Sequence, residues 1–452
     1  MSNGYDNLCL NILQGNGAAI VVNERGNDPY TAKGGSHYVP KSTAIREEHL
    51  TMKPTMEILE NVKQDSARNK AIDGYNYVKP EDAPSVTSFK QGVDSGLTIV
   101  SMKGLSYDDP LWEDFLNQFS IDELAKILID QLGTEAISKV SKPSQTNTDG
   151  PDGAQMSYMI HDETGTLVNS GVPGTLYPNE VVLASTWNAN LISTRGNFLG
   201  EDALITHTSQ LWSPGADIHR TPFSGRNFEY YSEDSYLSYL CSGIEVKAMT
   251  DKGVNAAIKH FASNDQETNR SGMNTFMTEQ TFRQSCLRGF EGAFTIGKAK
   301  GTMTALNRLG CTYAGASGAM LNNVLRGEWG FQGVCITDAA TASSFYVHTV
   351  DCVVNGIDMF CMSPASRADE IVSRINQGDG YVLSCLRNTN HNFYYAFANS
   401  NLMNGISSNT RIITLTPWWQ TAIIGVDIGL GVLTAAALVI YLVTLVRSRE
   451  KA

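Results

Sequence analysis

Residues 254–270 read Val-Asn-Ala-Ala-Ile-Lys-His-Phe-Ala-Ser-Asn-Asp-Gln-Glu-Thr-Asn-Arg. The short apolar run that ends at Lys259 and His260 predicts a buried β-strand. The polar tail follows the carboxyl end of that strand, which is where α/β sheets and barrels place their chemistry. A Lys, a His and an Arg that converge there could bind a neutral polyhydroxyl ligand or a carboxylate. A strand followed by a solvated loop explains the same periodicity.

Other apolar runs alternate with amphipathic segments over about 300 residues, which favours a (β/α)8 TIM-like barrel in the α/β class. An open doubly wound sheet is the alternative. Ser120 and Glu123 form a capping-box pattern that predicts the start of a helix. Helices are also expected over Glu279–Thr295 and Ser317–Arg326. The candidate strands are Leu183–Thr186, Leu211–Asp217, Asn255–Phe261, Gly301–Asn307, Gly333–Asp338 and Gly356–Met362.

Composition excludes several classes of protein. The 452 residues carry a formal net charge of −12, and this acidic balance argues against a nucleic-acid partner, which requires clustered Lys and Arg. None of the eight cysteines forms a C-x-x-C pair, so a zinc ribbon or a thioredoxin-like site is not expected. Buried free thiols are the default for these cysteines, and their spacing leaves disulfides open.

An apolar stretch near the C-terminus predicts a membrane anchor over residues 421–446, since about 20 such residues span a bilayer. Two tryptophans precede the stretch and three basic residues follow it: Trp418, Trp419, Arg447, Arg449 and Lys451. The aromatic belt and the positive-inside rule then place the preceding residues outside the cell and the C-terminus in the cytoplasm. A buried core helix is the alternative. The first residues lack the pattern of a signal peptide, so we expect an incomplete gene product.

Three further motifs place polar groups after apolar runs. Thr-Asp-Gly-Pro-Asp-Gly occupies 148–153 and contains Asp149. His-Arg-Thr-Pro-Phe-Ser-Gly-Arg-Asn-Phe-Glu-Tyr-Tyr-Ser-Glu-Asp occupies 219–234 and contains Arg220 and Arg226. Gly-Glu-Trp-Gly-Phe-Gln-Gly-Val-Cys-Ile-Thr-Asp occupies 327–338 and ends at Asp338. Taken alone, these patterns also fit an Asp-Gly turn, a loop held by an ion pair from Arg226 to Glu229 or Asp234, and a helix N-cap.

Together with Lys-His-Phe-Ala and Gln-Glu-Thr-Asn-Arg in the first stretch, these motifs closely resemble those of family 3 glycoside hydrolases of the β-glucosidase type. The resemblance covers roughly residues 90–365. It implies that Asp338 is the nucleophile of a retaining glycosidase. The residues that it implies for sugar binding are Asp149, Arg226, Lys259 and His260, with Arg220 and Arg270 as further candidates. A structural pairing of Lys259 with an Asp is the alternative for that residue. No metal or cofactor is implied.

The sequence departs from the family pattern at three places. Ala339 follows the nucleophile position, where the family commonly has Trp, and Leu306 stands where the family often has a Tyr that contacts the nucleophile. These two changes put catalytic strength and sugar identity in doubt. The segment Ala-Ser-Asn-Asp at 262–265 replaces the Pro-Gly-His-Gly of members that carry a His-Asp dyad, so that variant is not expected.

A second catalytic carboxyl group is missing from the pattern. In the β-glucosidase type, the acid/base is a Glu on a separate α/β sandwich domain, and some relatives carry that domain before the barrel. Residues 97–112 resemble the junction in those relatives of reversed domain order. We therefore expect a remnant of a preceding module plus a linker arm (1–95), the barrel (96–400), a juxtamembrane linker (401–420), the membrane helix (421–446) and a cytoplasmic tail (447–452).

These features predict a retaining β-glycosidase, β-glucosidase-like, that hydrolyses terminal non-reducing β-linked sugars on an oligosaccharide or β-glucoside and that is incomplete without the acid/base domain. Two alternatives remain. One is a membrane-anchored carbohydrate-binding protein without turnover. The other is a half-enzyme completed by a separate sandwich domain that supplies the acid/base Glu.

Overall fold

The structure, a computed structural model, describes residues 77–154, 159–161, 167–169, 174–268, 270–341, 344–406 and 418–449. Most of the predicted preceding module therefore lies outside the described residues. Most of the predicted linker and the last three residues of the predicted tail lie outside them as well.

A largely parallel sheet forms the centre of the fold. The strands of this sheet and of the pair that continues it are β1 (Ile129–Asp130), β2 (Gly133–Thr134), β3 (Gln145–Asp149), β6 (Thr208–Trp212), β7 (Asn255–Phe261), β9 (Gly301–Thr304), β12 (Val334–Thr337) and β13 (Phe360–Cys361). Six of them form the sheet, in the order β12-β9-β7-β6-β3-β2, and all neighbours are parallel except β2, which pairs antiparallel with β3. The parallel pair of β1 and β13 continues past β12 through a bridge between Ile336 and Met359. The sheet has the curvature of a half-barrel.

Two small sheets accompany the main one. The first is an antiparallel hairpin, and the second has the order β11-β10-β8. Their strands are β4 (Met159–His161), β5 (Leu167–Asn169), β8 (Asn274–Thr275), β10 (Arg308–Leu309) and β11 (Thr312–Tyr313).

Helices connect successive parallel strands, and neighbouring helices pack side by side. The predicted helix over Glu279–Thr295 is confirmed as one run, α7, with a π-helical segment at Phe282–Leu287. The second predicted helix lies slightly later than expected, as α8. The helices are α1 (Ile99–Met102), α2 (Leu111–Leu116), α3 (Ile121–Lys126), α4 (Glu180–Ser185), α5 (Ala189–Ile205), α6 (Ser235–Thr250), α7 (Glu279–Thr295), α8 (Ala319–Glu328), α9 (Thr349–Val354), α10 (Ser366–Asn376), α11 (Gly380–Ala398) and α12 (Trp418–Arg449).

Strand β7 has the predicted bounds, and every residue in it is buried. Its last residue, Phe261, explains how the strand is held against the helices. The Phe261 ring lies 5.2 Å from that of Phe290 and 6.1 Å from that of Phe294, both on α7. Edge-to-face aromatic pairs at this separation add to the stabilisation from buried apolar area. The aromatic contact therefore fixes β7 and the polar residues that follow it.

The predicted capping box is confirmed at the start of α3. The Ser120 hydroxyl accepts a hydrogen bond from the Glu123 amide at 3.3 Å, and the Glu123 carboxylate accepts one from the Ser120 amide at 2.8 Å. Each bond satisfies an amide that the first helical turn leaves without a partner.

The predicted strand over Leu183–Thr186 is wrong, because this segment lies in helix α4 and its C-cap. The Asn179 side chain caps the helix by accepting a hydrogen bond from the Val182 amide at 3.4 Å. Glu180, Leu183 and Ala184 are buried whereas Val182 is exposed, which is the three-to-four-residue period of a helix. The apolar run Val-Val-Leu-Ala at 181–184 has no period of its own. The run alone therefore could not distinguish a strand from a helix.

Four other predicted strands are displaced or shortened. The strand expected over Leu211–Asp217 is observed as Thr208–Trp212, because the predicted run crosses Pro214, which cannot donate a backbone hydrogen bond to a neighbouring strand. The strands expected over Gly301–Asn307, Gly333–Asp338 and Gly356–Met362 are observed as the shorter Gly301–Thr304, Val334–Thr337 and Phe360–Cys361.

The C-terminal apolar stretch forms a single helix of 32 residues, α12, which is strongly apolar and is not buried against the rest of the protein. The buried-core alternative is therefore not supported. Its length and composition make α12 a candidate for crossing a membrane.

Candidate active site

The polar residues singled out in the sequence lie at the carboxyl ends of neighbouring parallel strands. Asp149 ends β3, Lys259 and His260 lie near the end of β7, and Asp338 directly follows β12. The Asp338 amide donates a hydrogen bond to the carbonyl of Thr304, the last residue of β9, at 3.1 Å. Because β3, β6, β7, β9 and β12 are adjacent and parallel, these side chains share one edge of the sheet.

Lys259 and Asp149 form an ion pair across that edge. The Lys259 ammonium lies 2.5 Å from an Asp149 carboxylate oxygen and 3.1 Å from the Gly150 carbonyl oxygen. The Lys259 side chain is buried, whereas the Asp149 side chain is 39 % exposed. The structural pairing considered for Lys259 is thus present. It leaves part of the Asp149 carboxylate open to solvent, where it could accept hydrogen bonds from a ligand.

His260 lies between Asp338 and a buried tyrosine. Its Nε2 atom is 3.7 Å from an Asp338 carboxylate oxygen, and its Nδ1 atom is 3.1 Å from the Tyr230 hydroxyl. Burial lowers the pKa of His260 well below its usual value, and the positive charges of Arg226, Lys259 and Arg270 lower it further. The imidazole is therefore neutral at physiological pH, with one nitrogen as donor and the other as acceptor.

Arg226 forms an ion pair with Glu229, and its Nη1 atom lies 3.9 Å from a Glu267 carboxylate oxygen. The tie to Glu229 considered from the sequence is therefore present, and the structure records no ion pair from Arg226 to Asp234 within the described residues. Burial opposes the charged form of Arg226, but the surrounding acidic groups, Asp338 among them, raise its pKa overall. Arg226 is a permanent cation close enough to Asp338 to interact with it electrostatically.

Arg220 and Arg270 are more exposed and lie on the loops that follow β6 and β7. Arg220 pairs with Asp265 at 2.5 Å, and Arg270 pairs with Glu267 at 2.9 Å. Arg270 influences the charge state of His260. The contacts recorded for Arg220 join it to Asp265 and Met277, so among the candidate residues it has the weakest link to the Asp338 side of the site.

Two carboxylates in this region were not among the predicted site residues, although Glu229 was considered as a structural partner of Arg226. Glu229 is buried beside Arg226, and its carboxylate lies 4.0 Å from His260 Nδ1. Burial raises the pKa of Glu229, while Lys259 and Arg226 oppose that rise. Its position in Gly-Arg-Asn-Phe-Glu, three residues after Arg226, was the available signal.

Asp217 is the second missed carboxylate, and it organises the loop after β7. It accepts backbone hydrogen bonds from His260, Ser263 and Asn264 at 2.9, 2.8 and 3.0 Å. Burial raises the pKa of Asp217 to about 7, against the effect of these N–H donors. It ends the apolar run that begins at Leu211, and this was the signal for a functional position. A side chain that accepts three loop amides fixes the backbone of His260 rather than facing a ligand.

The helix-cap alternative for Asp338 does not apply, since the next described helix, α9, begins at Thr349 with His348 as its N-cap residue. The Asp338 side chain is 17 % exposed. One carboxylate oxygen accepts a hydrogen bond from the Ala339 amide at 2.6 Å, and the other faces His260. Asp338 is thus a partly open carboxylate at the strand end.

Residues 130–382, more than half of the chain, match the family model described as "Glycosyl hydrolase family 3 N terminal domain". The chain belongs to glycoside hydrolase family 3. The resemblance of its four motifs to that family is therefore confirmed, and the match to the N-terminal domain fits the prediction that the chain carries the barrel part of the enzyme.

Relatives in family 3 include a β-glucosidase of Rhizobium radiobacter, which is 34 % identical over 59 % of this chain and 31 % of its own length. The thermostable β-glucosidase B of Acetivibrio thermocellus is 34 % identical over 49 % of this chain and 30 % of its own length. The chain thus matches only about a third of the length of these enzymes.

Solved structures of the family share the fold. β-Glucosidase 3B from Thermotoga neapolitana in complex with glucose has a TM-score of 0.57 and 29 % identity, over 66 % of this chain and 44 % of its own. The β-glucosidase from Kluyveromyces marxianus in complex with glucose has a TM-score of 0.57 and 27 % identity, over 68 % of this chain and 36 % of its own.

Proposed function

We propose that this chain is the sugar-binding and nucleophile-bearing half of a retaining β-glycosidase that acts on terminal β-linked glucosyl or similar residues. The observation that carries the proposal is the juxtaposition of Asp338 with His260, at 3.7 Å, on the same sheet edge as the Lys259–Asp149 pair. One carboxylate is thereby placed among groups suited to hold sugar hydroxyls.

The proposed binding groups differ in whether they donate or accept hydrogen bonds. The Lys259 ammonium and the Arg226 guanidinium donate hydrogen bonds, and the open part of the Asp149 carboxylate accepts them. Neutral His260 can donate to one hydroxyl through Nε2 while its Nδ1 accepts from Tyr230. We place Arg220 and Arg270 at the rim, where their exposed pairs with Asp265 and Glu267 could rearrange around a ligand.

Asp338 would act as the nucleophile. Its carboxylate would attack the anomeric carbon and form an ester with the sugar, while the bond from that carbon to the leaving oxygen breaks. Arg226 supplies a permanent positive charge that interacts with this carboxylate. Because His260 is neutral, it forms no ion pair with this carboxylate and leaves its negative charge available for the attack.

The leaving oxygen needs a proton, and in retaining enzymes that proton comes from a carboxylic acid about 5 Å from the nucleophile. Glu229, on the other side of His260, forms an ion pair with Arg226 and is therefore not assigned as this acid. We therefore propose that a separate sandwich domain, of the kind found in complete relatives, supplies the acid. A β-glucoside substrate and that domain are the proposed partners.

A carbohydrate-binding protein without turnover is the second candidate. Ala339 and Leu306 favour it, since both replace aromatic residues common next to the nucleophile in the family. The two candidates share the binding groups and differ only in whether Asp338 reacts.

We further propose that the half-barrel closes into a (β/α)8 barrel within residues 96–400. The Phe360 amide donates to the Leu128 carbonyl at 2.7 Å, and the Met362 amide donates to the Asp130 carbonyl at 2.8 Å. These bonds join β13 to β1, which is followed directly by the β2–β3 pair. Such a connection would complete the circuit of strands.

We also propose that α12 anchors the protein in the cell membrane as a single span, flanked by the linker (401–420) and the tail (447–452). The tryptophans at its start and the basic residues at its end set the orientation, with the barrel outside the cell and the C-terminus in the cytoplasm.

A series of aryl β-glucosides with leaving groups of decreasing acidity tests the proposed function. Without an acid, the isolated chain should release dinitrophenolate and leave cellobiose almost untouched, because general acid help is worth about 10²–10⁴-fold. Asp338→Asn should abolish the release while glucose still binds. Efficient cellobiose hydrolysis would show that the chain contains its own acid, and glucose binding without any release would establish the binding protein.

A further inference from the structure

A buried guanidinium lies behind the proposed sugar site. Arg195 is on α5, and its side chain is only 4 % exposed. It lies between Glu180 on α4 and Glu245 on α6, both of which are fully buried. Three consecutive helices thus meet at one charged cluster.

The cluster contacts the β3 loop of the site. The Arg195 Nη2 atom donates a hydrogen bond to the Pro151 carbonyl at 2.5 Å. Pro151 lies two residues after Asp149, and the adjacent Gly150 carbonyl accepts a hydrogen bond from Lys259. The short turn that carries Asp149 is therefore held from the back by Arg195 and from the front by Lys259.

The same cluster contacts the β6 loop of the site. The Tyr231 hydroxyl donates to a Glu245 carboxylate oxygen at 2.7 Å, and the other oxygen of Glu245 pairs with Arg195. Tyr231 directly follows Tyr230, whose hydroxyl lies 3.1 Å from His260 Nδ1. The path from Arg195 to His260 therefore passes through three named side chains.

The distances in the cluster show which glutamate is the closer partner of Arg195. Arg195 donates a hydrogen bond to Glu245, whereas its Nη1 atom is 3.5 Å from Glu180. Burial raises the pKa of both Glu180 and Glu245, and the nearby Arg195 opposes the rise in each. The two buried carboxyl groups therefore depend on Arg195, since a buried charge without a partner is costly.

We propose that Arg195 is a positioning residue for the sugar site, which holds the Asp149 turn through the Pro151 carbonyl and the Tyr230–His260 face through Glu245 and Tyr231. The inference rests on the proposed sugar site. It adds to that site a residue that touches no ligand and that none of the four motifs contains.

The chain offers a matched control for this role. Arg283 on α7 is also a buried arginine between two glutamates, with Glu279 and Glu328 each at 2.8 Å. The pair with Glu328 joins α7 to α8, the pair with Glu279 lies within α7, and neither glutamate lies in a loop of the site. Arg→Lys at either position keeps the charge and loses the planar, multidentate guanidinium.

The experiment compares Arg195→Lys with Arg283→Lys in the full chain, by calorimetric titration with glucose and by hydrogen–deuterium exchange. We expect Arg195→Lys to weaken glucose affinity by about tenfold, in the way that a small displacement of binding groups does. Exchange should rise in peptides that cover residues 149–153 and 229–232. Arg283→Lys should lower the melting temperature but leave the glucose affinity and the exchange of these two loops unchanged.

The outcomes distinguish a failure of the proposed function from a failure of the positioning role of Arg195. If wild-type protein binds no glucose, the proposed function fails, and the exchange of the two loops still decides the role of Arg195. Unchanged exchange and unchanged affinity in a folded Arg195→Lys would overturn the inference. If Arg195→Lys does not fold, Tyr231→Phe removes the link to the β6 loop alone, and exchange should then rise over 229–232 but not over 149–153. Equal exchange in wild type and Tyr231→Phe would also overturn it.

Discussion

The Lys259 ammonium donates hydrogen bonds to the Asp149 carboxylate and the Gly150 carbonyl in the structure. Its removal should therefore weaken the binding of a sugar at this edge of the sheet. Arg226→Ala and Lys259→Ala should each weaken glucose binding by about 1.5–3 kcal/mol, the usual value of a hydrogen bond to a charged group. Calorimetric titration measures the change. Lys247→Ala is the control, since Lys247 forms an exposed helical pair with Asp251. Unchanged affinity in both site variants would contradict the assignment of these residues to the sugar.

Lys142 provides a second prediction at the residue scale. Its amine is fully buried, donates to the Glu135 carbonyl at 2.8 Å and to the Pro143 carbonyl at 3.0 Å, and lies 4.6 Å from the centre of the Phe397 ring. Burial lowers the pKa of Lys142 to about 7, with Glu135 opposing in part. In unfolded chains the pKa of a lysine is about 10.4.

The sign of the pH effect follows from these values. Between about pH 7 and pH 10 the unfolded chain binds one more proton at Lys142 than the folded chain, so the unfolding free energy rises with pH by about 1.4 kcal/mol per unit. Lys142→Met removes this rise. Urea unfolding of both proteins at pH 7, 8 and 9 should give a stability difference that grows in favour of wild type. If the unfolding free energies of the two proteins change equally with pH, the amine keeps its charge in the folded protein.

The individual residues show what the sequence could and could not predict about the site. The motifs pointed to Asp149, Lys259, His260 and Asp338, which the structure places at one edge because neighbouring parallel strands bring their ends together. Asp217 was missed because its role depends on three loop amides that no pattern in the sequence displays.

At the scale of elements, the capping box of α3 can be tested alone. Ser120→Ala removes the hydroxyl that accepts from Glu123 and should lower the unfolding free energy by about 1 kcal/mol. Ser185→Ala is the control, because the Ser185 hydroxyl bonds to the Val181 carbonyl within its own helix and caps nothing. Chemical denaturation measures both. Equal stabilities of the two variants would mean that the cap contributes nothing.

The elements also differed in how well they could be predicted. The strand Asn255–Phe261 was predicted with the observed bounds, because a buried parallel strand reads as a short apolar run bounded by polar residues. The helix over Glu279–Thr295 was predicted from its amphipathic period. The segment at Leu183 was assigned to the wrong class because its helical period is visible only together with Glu180 and the cap at Asn179.

At the scale of the whole molecule, the orientation of α12 relative to the membrane is a prediction with a direct test. Protease added outside intact cells should digest the barrel and spare a tag at the C-terminus. The reason is that basic residues follow the span and favour the cytoplasmic side. Permeabilised cells serve as the control, in which the tag should also be lost. A protected barrel with an accessible tag would reverse the orientation.

The match to the family over residues 130–382 could be predicted from four motifs because each is a specific run of residues that closely resembles the family's. The source of the acid could not be predicted in the same way. Under the proposed function a separate domain supplies it, and the motifs of this chain do not specify that domain.

Mass spectrometry of the chain after reaction with a 2,4-dinitrophenyl β-glucoside tests the central claim most directly. With a nucleophile but no acid/base, the protein should accumulate a covalent glucosyl adduct on the peptide that contains Asp338. Azide, which needs no base, should discharge the adduct as a β-glucosyl azide. An adduct on a different carboxylate, or none on folded protein that binds glucose, would contradict the assignment of Asp338 as the nucleophile.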